Sequence, residues 1–186
     1  LGAMRSTAQI ISYEIPTVVV ILTVIVVGGS MNLRDLSEMQ TANMFNWFIF
    51  GGSLPLLLKV ALIPFMIVAF IILYISSLAE VNRTPFDIPE AESELVAGYH
   101  TEYTGMKFAM FFLSEYANMF AVSILVVSLF LGGYQSPFGY IGSLVDSPLL
   151  IGIEQFFWFT FKGLLLVTVQ MWLRWTLPRL RVDQLM

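Results

Sequence analysis

The chain has 186 residues, of which 58% are hydrophobic and only 12% are charged, and its mean hydropathy is +0.81. A soluble domain carries about twice that share of charge, so the composition predicts a protein built within a lipid bilayer. The net charge of −4 argues against nucleic acid as a partner, because phosphate binding needs a basic surface. The lack of cysteine excludes disulfides and cysteine-ligated iron–sulfur or zinc sites, and the single histidine, His100, disfavours a histidine-based metal or haem site.

Four apolar segments are long enough to cross a bilayer, since about 20 helical residues span its hydrocarbon layer. We therefore predict an all-α fold, a bundle of about four transmembrane helices that forms a single membrane domain over residues 1–186. The predicted spans cover about residues 7–27, 54–78, 106–131 and 156–174. Because the chain begins without Met and runs directly into apolar sequence, we interpret it as part of a longer polypeptide.

The first span contains an acidic residue, Glu14. An ionisable side chain at membrane depth is costly and usually faces the protein interior, a cavity or a partner charge. We therefore expect Glu14 to lie in the interior and to serve function. The alternative is that it reaches to the membrane surface, which its short side chain does less well than Lys or Arg. After this span, Asn32 is expected to cap a short helix that carries Arg34 and Glu38.

The main polar stretch between the apolar runs, residues 80–105, is named here the acidic segment and holds six of the thirteen carboxylates. Asp87 is expected to cap a short helix over about residues 88–97, with Pro89 in its first turn. On that helix Glu90 and Glu94 are four residues apart and share one face, so each disfavours ionisation of the other. In a partly desolvated pocket this raises at least one pKa, as a proton carrier requires. The alternative is a solvated acidic loop.

The last two spans also contain charged residues. Glu115 lies about two turns into the third span, and Lys162 lies within the fourth, where we expect it to neutralise a carboxylate from another helix. Pro148 and Glu154 are assigned to the loop that precedes the fourth span. With four spans, the two chain ends and the acidic segment share one side of the membrane. That side holds most of the cationic residues, which by the positive-inside rule places it in the cytoplasm or the matrix.

Several motifs of soluble enzymes are absent from the sequence. Neither a GxxxxGK[ST] nor a GxGxxG phosphate-binding pattern occurs, and there is no GxSxG or HExxH motif. Any chemistry of this chain is therefore expected to be proton handling or the binding of a membrane-soluble substrate.

Residues 83–108, RTPFDIPEAESELVAGYHTEYTGMKF, closely resemble the signature loop of the membrane-embedded quinone-chamber subunit of proton-pumping NADH:quinone oxidoreductases, the respiratory complex I family. Three further stretches resemble that family in the same order: LGAMRSTAQIISYE at the start, SEYANMF at 114–120, and LRWTLPRLRVDQLM at the end. The resemblance covers essentially the whole chain and implies further helices before and after it. One departure is Val182, where the family usually has Tyr.

The resemblance implies a non-redox subunit of an enzyme complex, which forms a quinone access tunnel and chamber with peripheral-arm subunits and couples quinone reduction to proton pumping. It implies no catalytic or metal-binding residue in this chain. The residues expected at the quinone chamber are Phe86, Asp87, Glu90, Glu92 and Glu94. Those expected in a proton relay are Glu14, Glu90, Glu102 and Glu115. Those expected to act as interface residues or charge partners are Arg83, Lys107, Lys162, Arg174, Arg179, Arg181 and Asp183.

The resemblance also implies that this chain binds quinone as a substrate and no cofactor of its own, with FMN and iron–sulfur clusters in partner subunits. Its expected partners are the peripheral-arm subunits, neighbouring small membrane subunits and the lipid bilayer. Its expected location is the bacterial plasma membrane, or alternatively the mitochondrial inner membrane. Two other functions stay open: a homologous subunit of a membrane-bound hydrogenase that does not use quinone, and a stand-alone ion transporter.

Overall fold

The structure, a computed structural model, describes residues 2–81, 85–86, 103–140 and 147–178. Over these residues the chain is helical and contains no β-strand, which confirms the predicted all-α class. The α-helices are α1 (Gly2–Gly28), α2 (Leu33–Met39), α3 (Leu56–Glu80), α4 (Met106–Phe130) and α5 (Pro148–Thr176). Two 3-10 turns, Met44–Asn46 and Phe48–Phe50, connect α2 to α3. By length and composition α1, α3, α4 and α5 can each cross a membrane.

The fourth long helix begins earlier than the sequence suggested. Helix α5 starts at Pro148 and not near residue 156, so Glu154 lies within the helix and its assignment to a loop was wrong. Ser147 precedes the helix, and Pro148 occupies its first turn. Proline is favoured there because its missing N–H has no intrahelical acceptor to lose and its φ angle is already helical. Pro148, which was assigned to a loop, is therefore the first residue of α5.

The long helices alternate in direction, which the contacts between their ends demonstrate. The Gln9 side chain near the start of α1 bonds the Ala79 carbonyl at the end of α3. Arg174 near the end of α5 bonds the Tyr116 hydroxyl near the start of α4. We call this end of the bundle, defined by these four residues, the acidic end, because the acidic segment begins and finishes there.

The other end of the bundle carries α2 and the two 3-10 turns packed against the end of α4, and we call it the capped end. The Asn32 side-chain oxygen accepts a hydrogen bond from the Arg34 amide at 3.1 Å, so the predicted N-cap of α2 is confirmed. Gly132, just beyond α4, has a φ of +74°, and a Cβ there would lie 2.6 Å from the indole nitrogen of Trp47. The close approach of this turn to Trp47 therefore requires glycine.

A core of apolar side chains joins the four long helices. Val24 of α1, Met66 of α3, and Val126 and Phe130 of α4 are completely buried, and Leu166 of α5 is 6% exposed. Apolar residues on the outer faces stay exposed, as expected of helices that meet lipid or other membrane helices. The core fixes the relative positions of the polar groups at the two ends of the bundle.

Candidate functional site

A cleft of about 500 Å³ lies at the acidic end, between the last turn of α3 and the first half of α4. Its lining combines two carboxylates, two other polar side chains and small or apolar residues. These residues are Glu80, Val81, Phe111, Ser114, Glu115, Ala117, Asn118 and Ala121.

The lining from α4 forms one face of that helix. Phe111, Glu115 and Asn118 follow the spacing of three and four residues that aligns side chains along a helix. Glu80 is the last residue of α3 and reaches the same cleft from the opposite wall. Glu80 and Glu115, which lie far apart in the sequence, thus line one cavity. Carboxylates in such a position can donate protons to a bound group or accept protons from it.

The structure places Glu115, a predicted relay residue, on the wall of this cleft. Its role as a proton carrier stays a prediction. Glu80 was not among the predicted site residues, although it begins the acidic segment. No local pattern distinguishes an acid at the end of a helix from one that lines a cleft, because only the packing of α3 against α4 brings Glu80 to this wall.

The predicted chamber residue Phe86 packs against the start of α1. Its ring meets the ring of Tyr13 edge-on, with 5.6 Å between centroids. Its carbonyl oxygen accepts a hydrogen bond of 2.9 Å from the side-chain nitrogen of Gln9. The same nitrogen donates to the Ala79 carbonyl at 2.8 Å. Sequence analysis missed Gln9, since a glutamine within an apolar helix carries no motif.

Glu14 does not line the cleft, and its side chain is exposed on α1, whereas Gln9 and Val20 of that helix are buried. The expected interior position is therefore not found within this bundle, and the relay role of Glu14 stays a prediction. Lys107 is exposed in the first turn of α4. Arg174 is half-buried and donates to the Tyr116 hydroxyl at 3.1 Å.

Lys162 belongs to the capped end, and among the described residues the structure places it against carbonyl oxygens and not against the expected carboxylate, so its role as a charge partner stays a prediction. Only 7% of the residue is exposed, and its ammonium donates to the carbonyl oxygens of Leu131 at 2.7 Å, Gly133 at 3.1 Å and Gln135 at 2.6 Å. It also lies 4.2 Å from the centre of the Trp47 ring. These carbonyls follow the end of α4, where the helix dipole is negative, so they attract the cation without a carboxylate.

The remaining predicted residues lie outside the described part of the chain, as does the predicted helix over residues 88–97. They are Arg83, Asp87, Glu90, Glu92, Glu94, Glu102, Arg179, Arg181 and Asp183. Among the described residues, no three His, Cys, Asp or Glu side chains cluster as metal ligands.

Four long apolar helices around a core, with a polar cleft at one end, define the class as polytopic α-helical membrane proteins. The chain belongs to the NADH dehydrogenase family, whose sequence model matches residues 1–186. It is 50% identical to the H subunit of the NADH-quinone oxidoreductase of Chlorobaculum parvum, 47% to that of Bacteroides fragilis and 49% to that of Rickettsia typhi. Each match covers all of this chain and 48–49% of the relative, so the chain spans about half the length of these relatives.

Proposed function

We propose that this chain is part of the membrane-embedded quinone-chamber subunit of a proton-translocating NADH:quinone oxidoreductase. In this proposal the acidic segment and the cleft at its base form the inner part of a quinone access tunnel and chamber, completed by peripheral-arm subunits. The family match over residues 1–186 and the names of the relatives support it. The observation that supports it most is the cleft, whose lining includes both Glu80 and Glu115.

Reduction of a quinone to a quinol consumes two electrons and two protons. In the proposal the electrons come from clusters in a partner subunit, and the contribution of this chain, which contains no cysteine, is to bind the quinone and handle protons. Carboxylates suit the second task, because they release and regain protons at short range. Glu80, which lines the same cleft as Glu115, adds one carboxylate to the predicted relay of Glu14, Glu90, Glu102 and Glu115.

Phe86 supplies an apolar wall for the quinone, and the acids that follow it supply polar contacts to the headgroup. Those acids are Asp87, Glu90, Glu92 and Glu94. The predicted interface residues Arg83, Arg174, Arg179 and Arg181 bind acidic surfaces of neighbouring subunits. The relatives come from bacteria, which supports a bacterial plasma membrane with the acidic end in the cytoplasm.

The test replaces Glu115 and, separately, Glu80 by Gln in the full-length subunit within its complex. Each change keeps the shape of the side chain and removes its titration. We expect quinone reductase activity and proton pumping to fall about 100-fold, as loss of a positioned acid or base causes. Oxidation of NADH by an artificial acceptor that bypasses the quinone should not change.

Glu154→Gln is the matched control, because it makes the same substitution in α5, far along the chain from the cleft-lining residues. It should leave both activities intact. Unchanged quinone reduction and pumping in both Glu115→Gln and Glu80→Gln would exclude the cleft from the quinone reaction. The same assay applied to Glu14→Gln and Glu90→Gln tests the rest of the relay.

A further inference from the structure

We propose that Gln9 is a positioning residue that fastens the end of α3 to Phe86 and thereby holds Glu80 at the cleft. The inference starts from one nitrogen atom. The side-chain nitrogen of Gln9 donates both of its hydrogens, one to the Ala79 carbonyl at 2.8 Å and one to the Phe86 carbonyl at 2.9 Å. The effect on quinone reduction rests on the proposed function, whereas the mechanical role does not.

The two acceptors lie at different places in the chain but meet at one donor. Ala79 is in the last turn of α3, where carbonyl groups lack the regular i+4 amide partner, and its carbonyl lies near the Val81 amide as well as the Gln9 nitrogen. Phe86 lies beyond the helix, and its carbonyl accepts from the same nitrogen. Because one amide donates to both carbonyls, it holds Ala79 and Phe86 close to the same point of α1.

The orientation of the Gln9 amide is determined by chemistry. Both groups next to its nitrogen are carbonyl oxygens, so a flipped amide would place its own oxygen against two acceptors. The residue is 4% exposed, and its oxygen has no hydrogen-bond partner among the described residues. A buried amide in this position cannot exchange its partners for water, which makes the fastening persistent.

Apolar packing supports the same junction. Val81 is 3% exposed and Pro85 is buried, so both residues are packed against the bundle. The Phe86 ring rests edge-on against Tyr13, one turn of α1 beyond Gln9. The start of α1 therefore contacts Phe86 in two ways, through the hydrogen bond from Gln9 and through the ring of Tyr13.

Glu80 is the residue that this arrangement controls most directly. It follows Ala79, whose carbonyl Gln9 holds, and its side chain lines the cleft opposite Glu115. If the Gln9 bonds are lost, the last turn of α3 loses its anchor, and Glu80 and Phe86 no longer keep a fixed distance. Gln9 does not line the cleft itself, so it acts on the site only through these two residues.

The experiment uses the full-length subunit in its assembled complex with Gln9→Met, which keeps the length of the side chain and removes both donors. Hydrogen–deuterium exchange of the backbone amides in residues 79–86 should become about ten-fold faster. The quinone KM should rise about five-fold with a smaller change in kcat. The control Ser12→Ala removes another side-chain bond of α1, from the exposed Ser12 hydroxyl to the Ala8 carbonyl, and should change neither quantity.

A second variant, Gln9→Glu, tests the role of Gln9 if the complex with Gln9→Met fails to assemble. An ionised carboxylate repels both carbonyls, whereas its protonated form donates one hydrogen bond, so the quinone KM should fall toward the native value between about pH 8 and about pH 6. The wild type and Gln9→Met should lack this recovery.

The outcomes separate the two proposals. Unchanged exchange in residues 79–86 for Gln9→Met, or no recovery of Gln9→Glu at low pH, would overturn the role of Gln9. Faster exchange with unchanged quinone kinetics would support the role of Gln9 in holding Ala79 and Phe86. It would overturn the part of the proposed function that assigns Glu80 and Phe86 to the quinone site.

Discussion

The two ends of the bundle use polar residues in opposite ways. At the capped end, buried polar side chains point into the protein and are bonded to backbone groups. At the acidic end, two carboxylates line an open cleft beside a segment rich in further acids. The first arrangement fixes geometry, and the second leaves titratable groups accessible to a ligand.

Gln40 shows most clearly how the capped end is built. The residue is completely buried, its amide nitrogen shares two hydrogens among three backbone carbonyls at 3.2 Å, and its oxygen accepts from two backbone amides. The carbonyls belong to Leu36, Ser128 and Leu129, and the amides to Phe48 and Gly132. One side chain therefore joins α2, the second 3-10 turn and the end of α4. No chemistry is required of it, so all its hydrogen-bonding capacity serves structure.

The comparison predicts that stability depends mainly on the capped end. The largest loss is expected for Lys162→Met, which preserves the length of the side chain but leaves the carbonyls of Leu131, Gly133 and Gln135 without their cation. We expect the free energy of unfolding to fall by about 3 kcal/mol, because hydrogen bonds to charged groups are stronger than neutral ones and because buried acceptors cannot bond to water instead. The midpoint of thermal unfolding of the purified complex measures it.

Lys59→Met is the matched control for this prediction. Lys59 is half-buried, and the Asn46 side chain accepts its hydrogen bond at 3.1 Å. Its loss should therefore cost much less. An equal drop in the unfolding midpoint for the two lysines would contradict the importance of the carbonyl cage around Lys162.

A smaller loss of stability is expected for Gln40→Leu than for Lys162→Met, because the side chain that is replaced is neutral. The change keeps the approximate volume and leaves five backbone groups to find other partners, which we expect to cost about 2 kcal/mol. Gln155→Leu provides the comparison, since that half-buried side chain donates a single long bond of 3.5 Å to Tyr140. Chemical unfolding of the two variants should rank Gln40→Leu as the less stable, and the reverse order would contradict this account.

The helices themselves could be predicted from sequence because their cause is local. An apolar run of bilayer length must satisfy its backbone internally, and an Asn before such a helix caps its first turn, as Asn32 does. The family could also be predicted, because its signature stretch is long and the match extends over residues 1–186. The start of α5 was misplaced, because Pro148 serves equally well in a loop and in a first helical turn.

The partners of the buried polar residues could not be predicted, because they lie far away in sequence. Charge matching suggested a carboxylate for Lys162, yet its partners are neutral carbonyls whose positions depend on how the chain turns after α4. Gln9 meets Ala79 and Phe86 only after α1 has packed on α3. A sequence pattern contains side-chain types, whereas these contacts are made to backbone groups that every residue possesses.

The smallest effect on stability is expected at the surface of the capped end. There Arg34 and Glu38 form an ion pair across one turn of α2, with 2.8 Å between Nε and Oε1. The hydrogen bond from Arg34 lowers the pKa of Glu38. A lowered folded-state pKa means that the stabilisation is fully present above the unfolded pKa and is lost as the pH falls through the folded value. Both side chains are exposed, so solvent and salt screen the pair and leave little stabilisation to lose.

Glu38→Gln should therefore lower the unfolding midpoint of the complex only slightly at neutral pH, and this small difference from the wild type should vanish in acid and at high salt. Thermal unfolding of the two proteins across pH and salt measures this. A loss as large as that of Gln40→Leu would mean that an exposed pair stabilises the capped end as strongly as a buried amide. The contrast between the two ends would then lie in charge and not in burial, and the stability expected of Lys162 would have to be attributed to its charge alone.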